Sequence, residues 1–82
     1  MENNVYVMFD RVAGHYFNVF ESVNDMTARR AFNRYVESQH KLTGAAPSDF
    51  ELYQFGTMNI VSFDFKPASE KIWICRGQGD VD

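Results

Sequence analysis

Between Asp25 and Gln39, and nowhere else in this 82-residue chain, apolar residues recur at helical spacing. Ala28, Ala31, Phe32, Tyr35 and Val36 fall at i, i+3, i+4, i+7 and i+8, one stripe of a helix. Asn24-Asp25 stands just before it, and either side chain suits the free N–H groups of a first turn. Outside this stretch the apolar residues alternate. Val5, Val7 and Phe9 fall on one face of a first strand, with Tyr6 and Met8 on the other. Val12–His15 holds a turn at Gly14, and Tyr16–Glu21 returns as the second strand of a hairpin. Lys41–Ser48 is a loop punctuated by Gly44 and Pro47. Phe50–Phe55, Asn59–Phe65 and Ile72–Cys75 then read as strands. Gly56 ends or bends the first of these, Pro67-Ala68-Ser69 makes a turn, and Gly77 and Gly79 end the last.

The expected order is β-β-α-β-β(-β). That is an α+β fold, one helix packed on a four- to five-stranded, mostly antiparallel sheet. Residues 1–76 form a single domain, and 77–82 form a flexible acidic tail carrying Asp80 and Asp82.

Eight Phe, four Tyr and one Trp are too many rings for the thin core of so short a chain. One helix covers one face of the sheet. If Val5, Val7, Phe17, Val19 and Leu52 face the helix, then Tyr6, Met8, Tyr16, Phe20, Tyr53, Phe55 and Trp73 face away. Such a face is too apolar to stay bare, so it is expected to be a dimer interface or a stacking platform. Tyr6, Tyr16, Tyr53 and Trp73 are its candidate stacking rings, and Met8, Phe20 and Phe55 its candidate interface residues.

The net charge of −3 excludes a wholly basic nucleic-acid glove. Residues 24–41 nevertheless hold Arg29, Arg30, Arg34 and Lys41 against Asp25 and Glu37 alone. Arg30 and Arg34 share a helix face four residues apart and repel unless an anion lies near. With Arg11, these cations are the candidate phosphate contacts. The alternative is a solvated helix face, with Arg34 relieved by Glu37.

No enzyme class is indicated. His15, His40 and Cys75 lack the close pairing of a zinc site. There is no Walker loop, nucleophile elbow or Cys-x-x-Cys. Arg76-Gly77-Gln78-Gly79 resembles a phosphate loop but lacks a following helix. Neither metal nor cofactor is expected. Asp10, Arg11 and Asp25 are expected to meet as caps and a local ion pair. Cys75, the single cysteine, is expected to be an inert strand thiol in a reducing cytoplasm. No apolar run approaches the roughly 20 residues that span a bilayer, so a soluble protein without a membrane partner is expected.

Several segments together resemble a known family. They are Tyr6, Asp10-Arg11-Val12-Ala13-Gly14 and Tyr16, then Asn24-Asp25 with Ala28, Arg30 and Phe32, then Asp49-Phe50-Glu51-Leu52-Tyr53 with Gly56. This pattern is similar to the small nonstructural protein of gokushoviruses (Microviridae), icosahedral phages with circular single-stranded DNA genomes. It covers residues 5–56, with Ile74-Cys75-Arg76-Gly77 as a further short match. The resemblance implies a phage accessory protein of the host cell cytoplasm, serving genome replication or single-stranded DNA production. It brings no catalytic residues.

Two functions are therefore expected. In the first, sheet aromatics stack on single-stranded DNA while helix arginines meet its phosphates. In the second, the aromatic face is a protein–protein adaptor, forming a homodimer or docking a replication, packaging or host protein. Basic helix and sheet platform lie on opposite faces of a monomer, a difficulty for the first that a dimer relieves.

Overall fold

The computed structural model describes residues 1–78, and the expected acidic tail lies, from residue 79 onward, outside the described residues. Its elements are β1 (Glu2–Asp10), β2 (His15–Ser22), α1 (Asp25–Thr43), a short 3-10 turn (Pro47–Asp49), β3 (Phe50–Asn59) and β4 (Phe65–Arg76). The four strands form one antiparallel sheet in the order β2-β1-β3-β4, with α1 across one face.

Each junction has a local cause. Asp10 Oδ1 accepts from the backbone N–H groups of Val12 and Ala13, which tightens the first hairpin. Asn24 caps α1, its Oδ1 accepting from Thr27 N at 2.8 Å and from Thr27 Oγ1 at 2.8 Å. Asp25 takes a different role, accepting the Tyr6 hydroxyl at 2.6 Å. The helix runs one turn beyond Gln39 and stops at Gly44, whose φ of 78° closes a left-handed cap. Asp10 and Asp25 thus lie at opposite ends of β1, and Arg11 donates to Ser48 O instead, so the expected cluster of these three does not form.

The core lies between sheet and helix. Tyr6, Met8, Phe50, Leu52 and Ile74 meet Ala28, Phe32 and Val36, with Phe17, Phe20 and Tyr35 packed around them. The face assignment of β1 is therefore the reverse of that expected. Tyr6 (0% exposed) and Met8 point at the helix, and Val5 and Val7 lie on the open face. Tyr6 cannot be a stacking ring for a ligand, and Met8 cannot be an interface residue. Phe20 stacks on Tyr6 at 5.5 Å and belongs with the core as well. The physical reason is the slip in β2 at Asn18, held at a φ of 54°. It lets Phe17 and Phe20, three apart, both face the helix. Ala31, expected in the helical stripe, is exposed.

The second half of the sheet also departs from expectation. Asn59–Phe65 is not a strand. Ile60–Asp64 turns between β3 and β4, tied by Phe63 N to Asn59 O and by the Asn59 side chain, which accepts from Val61 and Ser62. Pro67-Ala68-Ser69 lies inside β4, where residues 68–71 bulge out of register opposite Phe55. A proline and a bulge on an edge strand both discourage sheet extension. Gly56 bends β3 at its shift against β1. A Cβ there would fall 2.5 Å from Phe65 Cε1 and 2.6 Å from Lys66 O, so only glycine lets β4 lie this close. Among the described residues, no helix is long and apolar enough to cross a membrane.

Candidate nucleic-acid interface

The face of the sheet away from α1 divides into two halves. Toward the β1–β2 turn it carries Phe9, Tyr16, Glu51, Tyr53, Trp73 and Arg76, brought together by cross-strand pairing of Phe9 with Tyr16 and Glu51, and of Tyr53 with Trp73. Tyr16 lies 4.6 Å from Phe9 and 6.0 Å from Tyr53, ring centroid to centroid. The Lys71 ammonium sits over both tyrosines, 5.7 Å from Tyr16 and 5.4 Å from Tyr53. Trp73 is 54% exposed beside them. Toward the β3–β4 turn the face is apolar, with Val5, Val19, Phe55, Met58 and Phe65 around a shallow hollow.

Electrostatics tie the aromatic half together. The Tyr53 hydroxyl donates to Glu51 Oε1 at 2.9 Å, and Arg76 pairs with Glu51 Oε2 at 3.5 Å. Burial, then the hydrogen bond to anionic Glu51, pushes the Tyr53 hydroxyl from 10.0 up to about 12. Tyr6 is likewise pushed up to about 12, by burial first and by its bond to Asp25 second. An unfolded chain would lose these two protons near pH 10, before the folded one does. Stability from both hydroxyls is thus complete below about pH 10 and is lost between about 10 and 12. A circular-dichroism titration is expected to show unfolding set in over that window, with a shallower slope for Tyr6→Phe. An unchanged slope in Tyr6→Phe would contradict the role given to the buried hydroxyl.

The remaining expected site residues fall elsewhere. Arg30, Arg34 and Lys41 lie exposed on α1, across the sheet from the rings, and Arg34 and Lys41 flank Glu37 in a groove along the helix. Arg29 reaches back to Ile74 O at 3.4 Å. Among the described residues, no ion pair engages Arg29, Arg30 or Arg34. Arg11, at the end of β1, lies close enough for its charge to act on the Tyr53 hydroxyl. Cys75 is half-buried and its thiol is pushed up by burial, which makes it a poor nucleophile. No group of three or more His, Cys, Asp or Glu side chains among the described residues is placed to hold a metal ion.

Residues 3–79 match the family model described as Phage ORF5 protein. The chain belongs to that family. The phage setting implied by the resemblance of residues 5–56 therefore holds, over nearly the whole chain. No curated protein and no solved structure matches this Phage ORF5 family member.

Of the two cations on the ORF5 face, Lys71 escaped the sequence reading, and Arg76 entered it only in the Arg76-Gly77-Gln78-Gly79 segment, set aside as a phosphate loop for want of a helix. Lys71 stands between the Pro67-Ala68-Ser69 segment and the last apolar run, with no partner at a telling spacing. Only the bulge in β4 swings it over rings from two other strands.

Proposed function

We propose that this ORF5 protein is a non-catalytic accessory factor that binds single-stranded DNA on the open face of its sheet, within gokushovirus-type genome replication or single-strand production in the host cytoplasm. The observation that carries the reading is Lys71 poised over Tyr16 and Tyr53 beside exposed Trp73. A cation over an exposed ring contributes about 0.5–1 kcal/mol. A base stacked on the same ring contributes about 1–3 kcal/mol. The base therefore displaces the ammonium, which is left beside the backbone phosphate it then neutralises. Rings and cation share one face, so the difficulty posed by the basic helix does not arise. Arg30, Arg34 and Lys41 are secondary contacts in this reading, reached only by a strand that wraps around the edge.

The test is a titration with labelled poly-dT at two salt concentrations, read by anisotropy and by fluorescence of Trp73, the single tryptophan. Quenching of Trp73, weaker binding at high salt and a loss of about 5- to 150-fold in Tyr53→Ala are expected. Lys71→Ala is expected to flatten the salt dependence by about 0.7 in log–log slope, the share of one phosphate on a single strand. No anisotropy change at low salt, or binding that leaves Trp73 fluorescence unaltered, would reject the site. The apolar half of the face favours a second use, docking of protein.

A further inference from the structure

The hollow in the apolar half has a volume of about 420 Å³ and is lined on the open face by Val5, Val19, Phe55, Met58 and Phe65, with helix-facing Phe20 reaching it only from the edge strand β2 and Glu21 its sole ionisable wall. At the same end of the sheet the β3–β4 turn projects Val61 (79% exposed) and Phe63 (72% exposed). Phe63 is held there at a φ of 66°. A bulky residue rarely takes this left-handed conformation, which Gly and Asn adopt readily. The left-handed backbone closes the turn through Phe63 N and Asn59 O, but a bulky ring at that position secures nothing within the chain, because it is bare.

We infer that the apolar half of the sheet is a self-association surface, in which the Val61–Phe63 tip of each copy enters the hollow of a second copy about a two-fold axis. Knob and hollow adjoin on one chain, the self-complementary arrangement that an isologous dimer requires. Val19, Val61, Phe63 and Phe65 expose roughly 400 Å² on one protomer, given that a single Phe carries about 150–250 Å². A two-fold uses that patch twice. At the roughly 65% apolar share of homodimer interfaces, this corresponds to about 1,200 Å² in all, the lower bound for stable association. Both outer strands are guarded against edge pairing, β2 by its slip at Asn18 and β4 by Pro67 and its bulge, so the contact is made by side chains of the face. The dimer leaves the rings around Lys71 open, and the inference stands independently of the DNA reading.

The deciding experiment is sedimentation equilibrium over a dilution series, with far-UV circular dichroism to check folding. Wild-type protein is expected to pass from dimer to monomer on dilution. Phe63→Asn keeps the turn and removes the ring. It is expected to raise the dissociation constant at least tenfold while raising the thermal midpoint of the dilute monomer, because the backbone strain is relieved. Val19→Lys, on the hollow side, is expected to raise the dissociation constant similarly, whereas Lys71→Ala leaves it unchanged. Wild-type protein that stays monomeric up to about 1 mM would overturn the inference and assign the hollow to some other occupant. A dimer whose dissociation constant is unchanged in both variants would overturn it as well.

Discussion

Phe32→Ala is expected to cost about 3–5 kcal/mol, the range for removing a fully buried phenylalanine side chain. Phe32 is wholly buried at the centre of the stripe that α1 lays on the sheet, among Tyr6, Met8, Leu52 and Ile74. An 82-residue domain holds only about 4–12 kcal/mol in total. The single substitution therefore removes about a quarter or more of the stability. Urea unfolding followed by circular dichroism is the measurement, and a midpoint near that of wild type would contradict the packing of helix on sheet. A fall in Tm of about 15 °C or more is the thermal counterpart. The helix is the vulnerable element because it is the whole of the second layer. Its loss would expose Tyr6, Met8 and Leu52 together, and the sheet has nothing else to cover them.

Gly77→Ala is the second large effect, at about 1–3 kcal/mol, as for other overpacked sites. Gly77 follows β4 directly and is buried, its N–H donating to Phe50 O at 2.9 Å. An added Cβ would overlap the carbonyl oxygen of Pro47 and lie 3.2 Å from Val36 Cγ1. The obstacle is main chain, held by the 3-10 turn, and no rotamer change clears it. Position 77 is therefore a closing contact of the domain, joining the end of β4 to the start of β3 and to α1. Comparison of wild type and Gly77→Ala by the same urea titration checks this. A cost below about 0.5 kcal/mol, the range of ordinary surface changes, would show that the strand end is not seated there.

Much of the fold was legible because it depends on local periodicity. Ala28, Phe32 and Val36 announce the buried side of α1, Asn24 its start, and Gly14 the first turn, each from chemistry within a few residues. The order β-β-α-β-β and the antiparallel sheet follow from those pieces and the short connections between them. The family match extends the phage setting over residues 3–79, again through sequence alone.

What sequence could not decide was direction. Alternation shows that Tyr6 and Val7 point oppositely, but not which of them meets the helix, since both are apolar enough to be buried. The answer depends on tertiary contacts: Tyr6 can bury its ring because its hydroxyl reaches Asp25 at the start of α1. A one-residue slip in β2 and a four-residue bulge in β4 then decide which rings remain outside. Those irregularities have no periodic signature, and they are what bring Lys71 over Tyr16 and Tyr53; Val61 and Phe63 lie at a turn rather than in a strand because Asn59 ties it. The helix and the β-β-α-β-β order of elements along the chain were thus legible in the sequence alone. The identity of the open face, and with it the candidate site, was decided only when strands distant along the chain came into register.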